Sequence, residues 1–347
     1  MEQILKQLTD KLLSSDLNRF PVSLFHGKMG LCIYLYHLSK NESNSEYQAV
    51  AGELLDQILL HDLSPNHLID VEDGLAGVGI GIMYLIKNRF VEGHLNELLE
   101  SIDNPIYRRI AFQKDSSNFS STTLLHLTGY LYIRLKDQTD RNLQVLYQEL
   151  IIKVLNMLYD RIDDGFLNEP YSFSISHYQL PLYLWIMSKL IEAGFYNDRI
   201  YRMLDTLQWQ ILSHFPILHA NRLFLLWGML HLKPYLKHES WDNYIGLLYR
   251  EISVDEILDR EMIDRKIFID NGLSGIYILL HLINRTFPDY AIPFDPQTFY
   301  DKIQNSDAWN ALMKRDYFYT IHQGLLNGFP GVQLVIYELG KIIRNNV

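Results

Sequence analysis

Pairs of glycines three residues apart recur along the chain, and each pair opens a mostly apolar segment. The first two pairs begin 47 residues apart, at positions 27 and 74, and the last two begin 56 apart, at 272 and 328. Similarity at a roughly fixed period is the signature of a repeat fold built from one supersecondary unit. The four pairs are Gly27 and Gly30, Gly74 and Gly77, Gly272 and Gly275, and Gly328 and Gly331.

Three weaker apolar segments fill the 198 residues between the second and third pairs, at 124–135, 182–190 and 223–232. They bring the number of predicted units to seven. Segments 47–60 and 141–158 lie between apolar ones and place their apolar residues on one side of a helix. We therefore predict helical hairpins in which a buried helix alternates with an amphipathic one.

A single hairpin cannot bury its apolar face alone, so neighbouring units must stack. Open arrays end in atypical polar units, whereas the first and last units here carry clear glycine pairs. This difference favours a closed α/α toroid of about seven hairpins over an open solenoid. We predict one all-α domain spanning residues 1–347.

Charge and cysteine content exclude several classes of function. The formal net charge is −10 and the chain has no long Lys/Arg cluster, so we expect no nucleic-acid surface. Cys32 is the only cysteine, which excludes an intramolecular disulfide and a cysteine-rich zinc site. No apolar run approaches the roughly 20 residues that span a bilayer, and the first residues lack the pattern of a secretory signal. We expect a cytoplasmic protein without a transmembrane segment.

Two segments resemble the lanthionine synthetase C-like family. Residues 324–332, Gly-Leu-Leu-Asn-Gly-Phe-Pro-Gly-Val, are similar to the closing segment of that family, and residues 70–77 match its Asp-x-x-x-Gly-x-x-Gly motif. The resemblance covers about residues 20–340. It implies an α/α toroid that adds a cysteine thiol to a dehydroamino acid in a ribosomally made peptide. It also implies a precursor peptide as substrate and a dehydratase or another modification enzyme as a partner.

The zinc ligands that the resemblance implies are replaced in this chain. The family has Cys-His-Gly before its penultimate glycine pair, where this sequence reads Asp270-Asn271-Gly272. Its other cysteine ligand falls in the stretch 218–222, Leu-His-Ala-Asn-Arg, which has no thiol. Asp270 and His219 are residue types that bind zinc, but capping of a helix start is the favoured interpretation. We therefore predict no cofactor and no metal site.

Two further family positions are retained and give the candidate catalytic residues Asp70 and His177. Histidine titrates near neutrality and serves as an acid or a base, while the resemblance gives Asp70 the place of the family's acidic residue. The alternative for each is a residue that caps a loop or helix start. The remaining rim residues are candidates for substrate binding: His26, His219, Asp270, Asn271 and His322.

Three functions remain open at this point. The first is a zinc-independent cyclase-like enzyme that closes thioether rings in a dehydrated precursor peptide. The second is a non-catalytic toroid that binds a precursor peptide or a partner modification enzyme. The third is glycan processing by paired carboxylates such as Asp70 with Asp73 or Asp270, which ranks last because toroidal glycosidases lack this glycine pattern.

Overall fold

The computed structural model describes residues 2–61, 68–112, 119–263 and 266–345, and the regular structure of these ranges is helical throughout. Nineteen α-helices lie within them, and Ile257–Glu261 forms a short π-helix. In chain order the α-helices are α1 (Glu2–Leu13), α2 (Lys28–Glu42), α3 (Ser45–Leu59), α4 (Leu75–Lys87), α5 (Leu95–Leu98), α6 (Glu100–Ala111), α7 (Ser121–Lys136), α8 (Arg141–Tyr159), α9 (Asp164–Leu167), α10 (Gln179–Ala193), α11 (Asn197–Ser213), α12 (His219–Leu232), α13 (Glu239–Arg250), α14 (Val254–Glu256), α15 (Leu273–Thr286), α16 (Pro296–Asn305), α17 (Asp307–Lys314), α18 (Asp316–Ile321) and α19 (Phe329–Asn345).

The seven predicted apolar segments are all helical, as α2, α4, α7, α10, α12, α15 and α19. The two predicted amphipathic segments are α3 and α8. Burial separates the two kinds, because nine of the 13 residues of α4 are buried but only five of the 15 in α3. In the described ranges, no helix is both long and apolar enough to cross a bilayer.

The chain divides into two compact units. Unit 1 contains residues 1–108, 264–274 and 295–347, and unit 2 contains residues 109–263 and 275–294. In unit 2, α10 packs against α7 and α12, while α8 packs on α7 and α13 packs on α12. The prediction of a single domain over 1–347 stays a prediction.

In unit 1 the last repeat packs directly on the first, since α19 contacts α2. A buried polar cluster joins α1, α2 and α19 at this contact. The Tyr34 hydroxyl lies 2.7 Å from Thr9 Oγ1 and donates to Gln333 Oε1 at 2.8 Å. Burial holds the pKa of Tyr34 well above its usual value, so the phenol stays a hydrogen-bond donor. This is the contact that the predicted closure between the first and last repeats requires.

The glycine pairs share one local structure. The first amide of each of the four Gly-opened helices donates to the carbonyl seven residues earlier: Lys28 to Pro21, Leu75 to Leu68, Leu273 to Lys266, and Phe329 to His322. The preceding loop thereby folds back over the helix start. In three of the pairs the second glycine, Gly30, Gly77 or Gly331, faces the carbonyl six residues earlier, and a β-carbon on Gly77 or Gly331 would lie 2.0 Å from that oxygen. Glycine is required here by backbone contact.

The glycine contact predicts a large stability difference between two substitutions within α19. Gly331→Ala forces the Leu325 carbonyl away and should lower the free energy of unfolding by about 1–3 kcal/mol, as overpacking does. Gly340→Ala is the matched control, because no atom lies within 4 Å of its added β-carbon. In a helix interior this change should raise stability by about 1 kcal/mol. Equal urea midpoints for the two variants would contradict the close contact.

Candidate functional site

Four loops that precede Gly-opened helices are hydrogen-bonded to one another in unit 1. They are 21–27, 68–74, 266–272 and 322–328, here called the collar loops. The Leu325 amide donates to the Phe25 carbonyl at 2.9 Å, and the Phe25 amide donates to the Glu72 carbonyl at 3.1 Å. The amides of Ile269 and Asp270 both donate to the Leu326 carbonyl, at 3.0 and 3.2 Å. The loops of the sixth, seventh, first and second repeats are thus joined in that order.

The collar loops contain five of the seven predicted site residues: Asp70, His26, Asp270, Asn271 and His322. The structure therefore gathers residues that are about 300 positions apart in sequence onto one set of bonded loops. The two others lie in unit 2, His177 in the loop before α10 and His219 at the first position of α12. Their predicted roles stay predictions.

Two acidic residues of the collar loops, Asp70 and Asp270, are engaged in or buried within these loops. Asp70 Oδ1 accepts from the Asp73 amide at 2.9 Å, and the Asp70 carbonyl accepts from the Gly77 amide at 3.3 Å. These hydrogen bonds agree with the alternative interpretation of Asp70, a residue that caps a loop. Asp270 is only 3% exposed, whereas the next residue, Asn271, is exposed. Of these two predicted substrate-binding residues, only Asn271 is therefore accessible from the surface.

Two histidines occupy the collar in different environments. His26 is exposed and its ring meets Phe25 edge-on, with 6.3 Å between centroids. His322 is half-buried and stacks on Phe268 at 4.6 Å, with an interplanar angle of 8°. Its Nδ1 lies 2.9 Å from the Phe318 carbonyl oxygen, where only a protonated nitrogen makes a hydrogen bond. Burial lowers the pKa of His322, and this hydrogen bond raises it by a smaller amount.

His177 is exposed at the start of the fourth repeat and its ring is held by two serines. Nδ1 lies 2.9 Å from Ser174 Oγ and 3.0 Å from Ser176 Oγ, and the His177 amide donates to Ser174 Oγ at 3.2 Å. Both serines are buried. An exposed imidazole with a fixed orientation has the properties that acid–base chemistry requires.

The start of α12 is held by side chains that were not among the residues predicted from the sequence. Glu261 accepts from the His219 amide at 2.7 Å and from the Ala220 amide at 2.9 Å. Arg222 donates to the Pro216, Ile217 and Glu251 carbonyls. These partners lie up to 42 residues away in sequence and form no motif, so no sequence signal connects them. A carboxylate at a helix N-terminus also interacts favourably with the helix dipole.

Asn221 forms the other part of this network. Its side-chain amide donates to Glu169 Oε2 at 2.7 Å and to the Pro170 carbonyl at 3.3 Å, and the residue is fully buried. Glu169 also accepts from the Ile217 amide. The stretch in which the resemblance places a cysteine ligand is therefore held by carboxylates and an amide.

The residues present do not fit the zinc site of the resembling family. His219 Nδ1 accepts from the Ser253 amide at 3.1 Å, which occupies that nitrogen. The Cys32 thiol is buried in α2 and donates to the Ala51 carbonyl, and burial raises its pKa to about 12. Within the described ranges no three His, Cys, Asp or Glu side chains come together as ligands.

Comparisons with known proteins bear on the fold. No protein-family model matches the sequence. No curated protein matches it either. Among solved structures, nisin cyclase matches with a TM-score of 0.61 and 15% identity, over 98% of this chain and 93% of that chain. The two chains share a fold. This likeness confirms the predicted fold class, an all-α toroid, and at this identity it shows the fold alone.

Loss of charge at Glu261 should destabilise unit 2. In Glu261→Gln one of the two acceptor oxygens becomes an amide nitrogen that faces a backbone donor, which should lower the free energy of unfolding by about 1–3 kcal/mol. Glu251→Gln serves as the control, because Glu251 is exposed and contributes only its backbone to this network. Urea denaturation followed by circular dichroism measures both variants, and equal stabilities would contradict the capping role.

The Cys32 thiol should resist modification in the folded protein. Thiol reagents attack the thiolate, and both burial and the raised pKa of about 12 keep this thiol protonated. We expect reaction with dithionitrobenzoate at pH 8 only in step with unfolding in urea. Fast reaction of the native protein would contradict the burial of the Cys32 thiol.

Proposed function

We propose that this chain acts in the maturation of a ribosomally made peptide as a lanthionine-cyclase-like enzyme that works without zinc. The observation that carries the proposal is the likeness to nisin cyclase over 98% of the chain. The collar loops add support, because backbone hydrogen bonds join the loops that carry His26, His322 and Asn271. The proposed substrate is a dehydrated precursor peptide that contains cysteine, and a dehydratase that supplies it is the proposed partner.

The proposed reaction needs proton transfer and positioning but no electron transfer. The peptide thiol gives its proton to a base, the sulfur bonds to the β-carbon of a dehydroamino acid, and the α-carbon takes up a proton. Imidazole and carboxylate groups perform such transfers, typically with 10²–10⁴-fold effect. Holding thiol and acceptor close lowers the barrier further. His177 and Asp70 are each proposed as acid–base residues for this reaction.

A non-catalytic role is the second candidate, and two observations favour it. Asp70 Oδ1 is engaged with the Asp73 amide, and Asp270 is buried. The Asp70 side chain thus stabilises its loop and the Asp270 side chain is withdrawn from the surface, as they would be in a protein that keeps the fold in order to bind a peptide. This candidate predicts affinity for the precursor peptide without any acceleration of ring closure.

Loss of free thiol from a dehydrated, cysteine-containing precursor peptide tests the proposal. We expect the protein to accelerate this loss above the uncatalysed rate, and His177→Asn to slow it by about 10²–10⁴-fold. His94→Asn is the control, because His94 is exposed at the start of α5 and makes no side-chain cap there. The buried Cys32 should not contribute to the signal.

Binding of the same peptide, measured by fluorescence anisotropy, separates the two candidates. Binding with an unchanged uncatalysed rate would support the non-catalytic role and contradict the enzyme. Acceleration that His177→Asn leaves intact would keep the enzyme but contradict the role of His177.

A further inference from the structure

His322 is packed against aromatic rings from two segments of unit 1. Phe268 belongs to the collar loop of the sixth repeat, and Phe318 belongs to α18. The Phe318 and His322 centroids are 4.2 Å apart, and the Phe268 ring lies nearly parallel to the imidazole. Phe268 and Phe318 also contact each other, at 6.5 Å. The imidazole plane is thereby fixed by contacts that involve no charge.

Hydrogen bonding fixes which nitrogen carries the proton. The Phe318 carbonyl accepts only from Nδ1–H, so in the neutral ring Nε2 has the free lone pair. None of the described side chains forms a hydrogen bond to Nε2. A neutral imidazole with this tautomer is an acceptor of protons at Nε2. The lowered pKa of His322 agrees with that state, since burial disfavours the charged ring at neutral pH.

The position of His322 connects it to the rest of the collar. Its carbonyl accepts from the Phe329 amide at 3.0 Å, which fixes it at the start of α19. The same loop reaches the first repeat through Leu325 and the sixth repeat through Leu326. His322 thus lies at the junction of three repeats, on the loops where the predicted substrate-binding residues gather.

We propose that His322 is a catalytic residue, the general base that takes the thiol proton of the peptide cysteine at Nε2. This assignment rests on the proposed function. The S–H bond breaks and its proton forms an N–H bond at Nε2. The sulfur electron pair forms the C–S bond to the β-carbon of the dehydroamino acid. The π electrons of that double bond move into the adjacent carbonyl as an enolate. The α-carbon then takes a proton from water, and Nε2 returns its proton to the solvent, so that atoms and charge balance.

His322→Asn removes the base and retains a donor for the Phe318 carbonyl, because the Asn amide nitrogen takes the place of Nδ1. We expect kcat for thiol loss at pH 7 to fall by about 10²–10⁴-fold, with little change in peptide affinity. Added imidazole should restore part of the rate. The control His94→Asn should keep the full rate, since it removes an exposed histidine outside the collar loops.

The pH profile gives a readout that a packing role would not move. With a base whose pKa is lowered, kcat should fall only as the pH drops through that pKa, below the usual 6.5 of histidine. Nitrogen-15 NMR of labelled protein measures the same pKa for His322 and should show the Nδ1–H tautomer. The acid limb of the wild-type profile should match the NMR value and be absent from the residual activity of His322→Asn.

The outcomes separate this assignment from the proposed function. A wild-type rate equal to the uncatalysed rate contradicts both. Full activity in a folded His322→Asn contradicts the base alone and leaves the cyclase proposal standing. If His322→Asn does not fold, the wild-type comparison decides: an acid limb that differs from the NMR pKa of His322, or an Nε2–H tautomer, overturns the assignment.

Discussion

Close approach of a loop to the start of the following helix is the constraint on which the rest of this structure depends. In the Gly-opened repeats the helix begins with an amide bonded to the carbonyl seven residues earlier. In three of them the second glycine lies so close to the carbonyl six residues earlier that a β-carbon would collide with it. A side chain at that position would displace the loop. Because the loops lie close to the helix starts, they also reach one another, and the backbone bonds between the collar loops follow.

In the third to fifth repeats, side chains and not glycine pairs hold the chain at the start of the buried helix. Ser120 accepts from the Thr123 amide at the start of α7, two serines hold the loop before α10, and Glu261 caps α12. The close backbone contact is specified by glycine alone, whereas the side-chain hydrogen bonds depend on partners elsewhere in the chain. Consequently, the repeats without glycine pairs show only a weak repeat pattern in the sequence, although each forms a regular helix.

The predicted site residues and the side chains around them are of two kinds. Asp70, Asp270 and Glu261 form hydrogen bonds or are buried within loops and helix starts, and such groups mainly hold geometry. His26, His177 and Asn271 are exposed, and His322 is half-buried with its tautomer fixed. Around the start of α12 the contacts are made by carboxylate, amide and imidazole groups.

The sequence by itself predicted seven apolar helices, the amphipathic helices α3 and α8, and the loops and helix starts at which the candidate histidines and acids lie. These follow from periodicity and glycine spacing, which are local properties. Only the tertiary structure decided which rim residues are exposed and which nitrogen of His322 carries its proton. It also decided that Glu169 and Glu261 hold the start of α12, because contacts between distant residues leave no local pattern.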